Sequence, residues 1–231
     1  MDSIQERVGI TIAAIILICA LFALVAPAAA GVIRVPTDQP TIQAAINAVD
    51  AANRTIEVDA SAYSAKETID VNTSNIIIRS VNGRAVIDAN GADDHVVNIT
   101  DQTNVTIDGF EIRDAYGTTQ SVAGIFMYNA SWCTISNNTV TNISATDVQH
   151  AFGIRLLVYS SDNSFCSTSV SNVTAATQAL GISQARSSNN TFSSSTSVSN
   201  VTGPDGAFGI LLNSVSNNTF SSSTSVSNIK T

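Results

Sequence analysis

Beyond residue 66 the chain runs in short alternations of apolar and polar residues, separated by Ser, Asn and Gly. Gly209-Ile210-Leu211-Leu212, Asn190-Thr191-Phe192 and Thr196-Ser197-Val198 are examples, each with β-branched, aliphatic or aromatic residues at the apolar places. Alternation at period two predicts strands, and no repeat carries a 3.6-residue apolar stripe. One apolar position returns at Ile78, Ile107, Ile135, Phe165, Phe192 and Phe220, at spacings of 29, 28, 30, 27 and 28 residues. A second returns at Ile69, Val97, Ile125, Ile154, Ile182 and Ile210, at spacings of 28, 28, 29, 28 and 28. Two series that keep nearly one period over six copies predict a repeat architecture. Three short strands per repeat predict one rung of a parallel β-helix, with equivalent residues stacked about 4.8 Å apart. The fold class is read as all-β: a single-stranded, right-handed parallel β-helix with six copies of a repeat near 28 residues.

The segment Ser187–Thr202 recurs almost verbatim from Ser214 to Ile229, with looser copies at Ser160–Thr174 and Asn129–Ser144. Val140, Val170, Val198 and Val226 are each followed two residues later by Asn142, Asn172, Asn200 and Asn228, and then by another aliphatic residue. Strict alternation cannot turn both flanking apolar residues inward. A bend at Asn, which tolerates the left-handed conformation, resets the phase. Stacked asparagines are then expected to form an inward-facing amide ladder, with Asp114 in the equivalent place one rung earlier. Ahead of the repeats, residues 41–51 predict a short capping helix. Ile42, Ala45, Ile46 and Val49 share one face, Pro40 precedes it and Thr41 is its cap. Such a helix would cover the open edge of the first rung. No capping pattern follows the last repeat, so end-to-end self-association is an expected mode of partnership.

At the amino terminus an uncharged apolar run, Ile10–Ala26, leads into Pro27-Ala28-Ala29-Ala30-Gly31, a pattern that predicts export with cleavage after Ala30. Asp2 and Glu6 offset Arg7, so an uncleaved membrane anchor is the alternative for residues 1–30. Residues 31–231 then form one β-helix domain, with repeats over 66–231. Cys19 lies in the apolar run. The remaining Cys133 and Cys166 are out of register in the repeat and make no disulfide framework. The 231 residues are 44% apolar and 12% charged, which supports a packed core rather than disorder. Ser, Thr and Asn number 30, 24 and 21, a content suited to a secreted or cell-surface β protein. A net charge of −8 argues against nucleic acid as a partner, which would need a basic stripe.

The stretch Pro40-Thr-Ile-Gln-Ala-Ala-Ile46, the strand around Thr55–Val58, and then Asn75–Arg79, Val86–Asp88 and Asn104–Arg113 resemble the pectin-lyase-like superfamily. Within it, the NosD-type repeat proteins, also called the carbohydrate-binding and sugar-hydrolase β-helix group, look most similar. The resemblance covers about residues 32–231 and rests on packing and turn motifs, so it implies a fold more than an activity. It implies, for an enzyme, a groove on the outer face of one sheet with clustered carboxylates, sometimes calcium, and an Arg or Lys. It implies no transfer of copper chemistry, because His95 and His150 are two rungs apart and lack ligand spacing to a cysteine.

Beside the inward series Ile125, Ile154, Ile182 and Ile210, the outward neighbours are Phe126, Arg155, Ser183 and Leu211, then Tyr128, Leu157, Ala185 and Asn213. None is a carboxylate. Residues 121–231 hold only Asp147, Asp162 and Asp205, spread over three rungs, whereas glycoside hydrolysis needs two carboxyl groups within roughly 5–10 Å. The catalytic or calcium candidates are therefore Asp93 and Asp94, beside His95, with Asp108. The plainer reading is a polar turn at Asn90–Asp94, an Asp-Gly turn at Asp108 and an outward face carrying Glu111 and Arg113. Tyr116, Phe126, Tyr128 and Trp132 are candidates for stacking on sugar rings, extended by Tyr159. Eleven Asn-x-Ser/Thr sequons occur, at Asn53, Asn72, Asn98, Asn104, Asn129, Asn137, Asn142, Asn172, Asn189, Asn200 and Asn217. Of these, Asn53, Asn72 and Asn129 are the glycosylation candidates, and Asn142, Asn172 and Asn200 are expected to be hidden in the ladder. The chain reads as a non-catalytic secreted or surface protein that binds polysaccharide or cell-envelope glycan, or assembles in the envelope, with no required cofactor. A polysaccharide lyase or glycoside hydrolase and a purely structural rod are the alternatives.

Overall fold

The computed structural model describes residues 31–146, 149–221 and 223–231, so the predicted export segment with Cys19, and also Asp147, lie outside the described residues. Each turn of the chain lays one strand on each of three parallel sheets. Face 1 holds eight strands, from Gly31–Val35 to Thr219–Phe220. Face 2 holds seven, from Val86–Asp88 to Ser225–Lys230, and face 3 six, from Ile69–Val71 to Gly206–Asn213. The result is a β-solenoid of about six turns.

Both apolar series are columns of this solenoid. On face 1, Ile78, Ile107, Ile135, Phe165, Phe192 and Phe220 are paired in succession. On face 3, Ile69, Val97, Ile125, Ile154, Ile182 and Ile210 are paired likewise. Each buried aliphatic or aromatic side chain in such a column stabilises the fold by about 1.5–3 kcal/mol before ordering costs. The three phenylalanines also stack, with ring centroids 4.6 and 4.8 Å apart and planes within 6°. In the last turn the valine column of face 2 reaches solvent: Val226 is 46% exposed where its partner Val198 is 1% exposed.

The turn-forming asparagines adopt the left-handed conformation, with φ of 55°, 55°, 53° and 52° at Asn142, Asn172, Asn200 and Asn228 and 64° at Asp114. They form a ladder in which Asn172, Asn200 and Asn228 each donate Nδ2 to Oδ1 of the preceding member at 3.2–3.3 Å. The ladder faces outward, and all four side chains are exposed. The inward placement expected from sequence is therefore corrected. A left-handed residue between two inward aliphatics projects its own side chain away from the core.

A second asparagine column lies inside. Cys133 N donates to Asn163 Oδ1 at 2.9 Å, Asn163 N to Asn190 Oδ1 at 3.0 Å, and Asn190 N to Asn218 Oδ1 at 2.8 Å. Asn163 and Asn190 are buried, and their Nδ2 groups reach the carbonyls of Ala130 and Ser160 in the rung before. These side chains satisfy corner backbone groups that neighbouring strands cannot reach, which a buried turn requires.

The amino-terminal helix α1 runs Ile42–Asn47, shorter than the predicted 41–51, because Asp50 Oδ1 draws Ala52 N and Asn53 N into a turn at 2.8 and 2.7 Å. Thr41 caps it, accepting from Ala44 N at 3.1 Å. Glu67 supplies two more acceptors, for Ile42 N at 2.8 Å and Gln43 N at 3.0 Å. Ile42, Ala45 and Ile46 are buried against the first strands of the solenoid.

On face 3 a column of glycines interrupts the alternation. A Cβ at Gly153 would lie 2.1 Å from Val170 Cγ1 and 2.6 Å from the Gly181 carbonyl, so only hydrogen fits. The extra residue moves the side chain before each glycine to the outside. Ala123, Phe152 and Leu180 consequently form a small apolar cluster separate from the core, with Phe126 and Leu211 against it.

Candidate functional site

The corner where face 3 turns toward face 1 carries the two most exposed aromatic side chains of the described residues, Trp132 and Tyr159. Tyr128 ends the strand Val122–Tyr128, Trp132 lies in the following turn, and Tyr159 follows the strand Ala151–Leu157 one rung on. Trp132 is 65% exposed, Tyr159 73% and Tyr128 38%. Trp132 has φ 59°, and the equivalent places in other rungs are Asn75, Asn104, Asp162, Asn189 and Asn217, all left-handed. Tyr159, φ 61°, is an insertion. Tyr128 pairs with Leu157, yet Ala130 N bonds to Ser160 Oγ, so one additional residue enters between them. That insertion accounts for one residue of the 30-residue spacing between Ile135 and Phe165. Beside this corner a cleft of about 230 Å³ is lined by Leu157, Val158, Ala185, Arg186, Asn213 and Ser214.

Of the other two aromatic candidates, Tyr116 lies on another face and Phe126 precedes Tyr128 by two residues on the same strand. Tyr116 stands on face 2 and lines a groove of about 380 Å³ with Asp114, Asn142, Ser144, Asn172 and Thr174. Phe126 lies on the outer surface of face 3, half-buried and stacked on His95 at 4.2 Å and 12°. The structure thus places Tyr128, Trp132 and Tyr159 at one corner, Phe126 two residues before Tyr128 on the same strand but half-buried, and Tyr116 on another face. His95 Nδ1 accepts from Ala123 N at 2.9 Å, and burial pushes its pKa down to about 4. Next to it the Arg155 guanidinium lies 4.2 Å over the Phe152 ring, its Nε enclosed without a hydrogen-bond partner. Sequence reasoning missed that Phe152 and Leu180 are buried in a second apolar cluster on the outer side of face 3. The available signal was the glycine preceding each inward isoleucine on this face.

The carboxylates do not converge. Asp93 accepts from the hydroxyls and amides of Thr118 and Thr119 at 2.6–3.0 Å, which holds its carboxyl far below the usual range. Asp94 accepts from His95 N at 2.7 Å in the turn leading into face 3. Asp108 is on face 1, where it accepts from Ser136 Oγ at 2.6 Å and Asn137 Nδ2 at 2.8 Å. Asp93 and Asp94 therefore bind turns at one corner while Asp108 serves another sheet. Arg113 gathers Asp88, Glu111 and Asp114 at 3.1–3.3 Å on face 2. Among the described residues no group of three His, Cys, Asp or Glu side chains is placed to hold a metal. Cys133 and Cys166 are free thiols, the first buried and the second on the outer side of face 1.

Among the described residues no helix is long and apolar enough to cross a membrane. Comparison with protein-family models, curated proteins and solved structures finds no match to this chain.

Proposed function

We propose that the protein is an exported, non-catalytic β-solenoid that binds polysaccharide or cell-envelope glycan at the corner formed by Tyr128, Trp132 and Tyr159. The observation that carries this reading is the display of two aromatic rings from left-handed backbone positions. A non-glycine residue in that conformation costs of order 1–2 kcal/mol, and exposed rings recover none of it by burial. At the Trp132 position the neighbouring turns use Asn or Asp, which meet the backbone requirement more cheaply. Ring faces open to water suit the C–H faces of sugars, and the adjoining Arg186, Asn213 and Ser214 offer hydrogen bonds to hydroxyls. The pectin-lyase-like, NosD-type resemblance belongs to the same proposal and favours carbohydrate over other ligands. The separation of Asp108 from Asp93 and Asp94 is why binding is preferred to hydrolysis or elimination.

Trp132 is the only tryptophan of the chain, so its emission reports directly on this corner. Titration with a panel of neutral and acidic polysaccharides is expected to give a saturable change in that emission. Tyr159→Ala is expected to weaken binding about tenfold, a loss of about 1.4 kcal/mol. Emission that stays flat across the whole panel would sink the proposal. New reducing ends or unsaturated uronides that vanish on Asp93→Ala or Asp108→Ala would instead revive the enzyme.

A further inference from the structure

The eleven sequons differ in one respect that decides their chemistry, the state of the side-chain nitrogen. Transfer of a glycan joins Asn Nδ2 to C1 of the first sugar and breaks the bond from C1 to a lipid pyrophosphate. The pyrophosphate leaves with the electron pair, and one amide proton passes to the transferase base. An Nδ2 that already donates a hydrogen bond must break it, or turn away from its partner, to enter the transferase site, whereas a free one need not. Five sequon asparagines donate to a carboxylate, as Asn129 does to Asp101 at 2.8 Å and Asn137 to Asp108 at 2.8 Å. Three donate to another asparagine, as Asn104 does to Asn75 at 3.0 Å and Asn200 to Asn172 at 3.2 Å. Among the described residues, Asn72, Asn142 and Asn217 are exposed and donate no Nδ2 hydrogen bond.

The exceptions have physical reasons. Asn142 begins the outward ladder: it accepts from Asn172, but the place before it is Asp114, whose carboxylate is turned to Arg113 Nε at 3.1 Å. Its backbone is skipped in the pairing of Thr139–Ala145 with Ser169–Ala175, and its side chain opens on the 380 Å³ groove beside Tyr116. Asn72 lies in the turn between the strands Ile69–Val71 and Ile76–Val81, and Asn217 in the turn before Thr219–Phe220.

We propose that Asn72, Asn142 and Asn217 are the N-glycan acceptors of the folded chain and that the other eight sequons stay bare. The inference rests on export, since sequon glycosylation belongs to exported chains. It replaces Asn53 and Asn129 as candidates, because Asn53 Nδ2 donates to Asp50 at 3.0 Å and Asn129 is held by Asp101.

The test uses the full chain, produced without glycans and folded. It is incubated with a purified single-subunit oligosaccharyltransferase that accepts Asn-x-Ser/Thr and with a lipid-pyrophosphate-linked oligosaccharide. Peptides of the same chain are treated in parallel, and occupancy is read site by site by mass spectrometry. The expected result is label at all the sequons in the peptides and only at Asn72, Asn142 and Asn217 in the folded chain. Equal label at Asn129 or Asn200 in the folded chain, or none at the three, overturns the proposal, as does failure of the three to label in peptides. Asp101→Gly keeps the left-handed position and frees Asn129, so Asn129 is expected to become a fourth acceptor; an unchanged pattern in this variant counts against the proposal. Secretion from cells is scored separately, so retention of the protein inside would refute export while leaving the acceptor pattern standing.

Discussion

Asn190 and Asn200 lie in two columns of asparagines, and water reaches only the second. Asn190 is fully buried: its Nδ2 donates to the Ser160 carbonyl at 3.0 Å and to Gln184 Oε1 at 3.2 Å, and its Oδ1 accepts from Asn163 N. Truncation leaves those partners buried without a bond, at about 1–3 kcal/mol for each stranded group. Asn190→Ala is therefore expected to cost about 3 kcal/mol or more. Asn200 sits outside at φ 53°, a conformation glycine adopts freely, and gives up only exposed hydrogen bonds. Asn200→Gly is expected to cost less than about 1 kcal/mol. Urea unfolding of the two variants decides the matter, and equal losses would show that the inner column is not the stronger one.

The strands of face 3 show what the pattern of the chain conveys and what it conceals. The columns Ile69 to Ile210 and Ile78 to Phe220 were legible because parallel stacking places each inward side chain on its counterpart one repeat away. The outward direction of Asn142 was not, since a left-handed residue and an inward polar residue look alike between two aliphatics. The exposed corner was half legible: Tyr128, Trp132 and Tyr159 stood out as aromatics, but the separation of Tyr116 depends on which face its strand joins, and the half-burial of Phe126 on its stacking against His95. His95 stood out beside Asp93 and Asp94, but its role was not legible, because that role is to accept from a strand one turn later. Neutral imidazole is required there, as Nδ1 accepts from Ala123 N while Phe126 covers the ring. Asp94 and Asp70 favour protonation and Arg155 opposes it, but burial dominates and sets the pKa near 4 against an ordinary 6.5. Between those values the unfolded chain binds the proton and the folded one does not. Stability due to His95 is thus present above pH 6.5 and lost as pH falls toward 4, by roughly 3 kcal/mol in total. His95→Gln is expected to flatten this part of the Tm-against-pH profile. A variant that loses stability between those limits as steeply as the parent would remove His95 as the cause.

Across the whole molecule each turn touches only its neighbours, so stability is close to a sum of turn-to-turn interfaces. The aromatic stack makes this testable, because Phe192 is fully buried between Phe165 and Phe220, whereas Phe220 is half-buried at the last turn. Phe192→Ala is expected to cost about 3–5 kcal/mol and to cut the cooperative coupling of the turns on either side. Amides of Gly206–Asn213 and Ser225–Lys230 are then expected to exchange hydrogen faster while the strands near Ile78 and Ile107 keep their protection. Phe220→Ala removes a contact on one side only and is expected to loosen just the final turn. Hydrogen exchange followed by mass spectrometry resolves these segments. Protection lost evenly along the chain in Phe192→Ala would mean that the solenoid unfolds as one unit. In that case a bound polysaccharide at the Trp132 corner would stabilise the distant α1 end as much as the turns it touches. Local loss would confine that stabilisation to the central turns and leave the two ends free to open and close independently of the ligand.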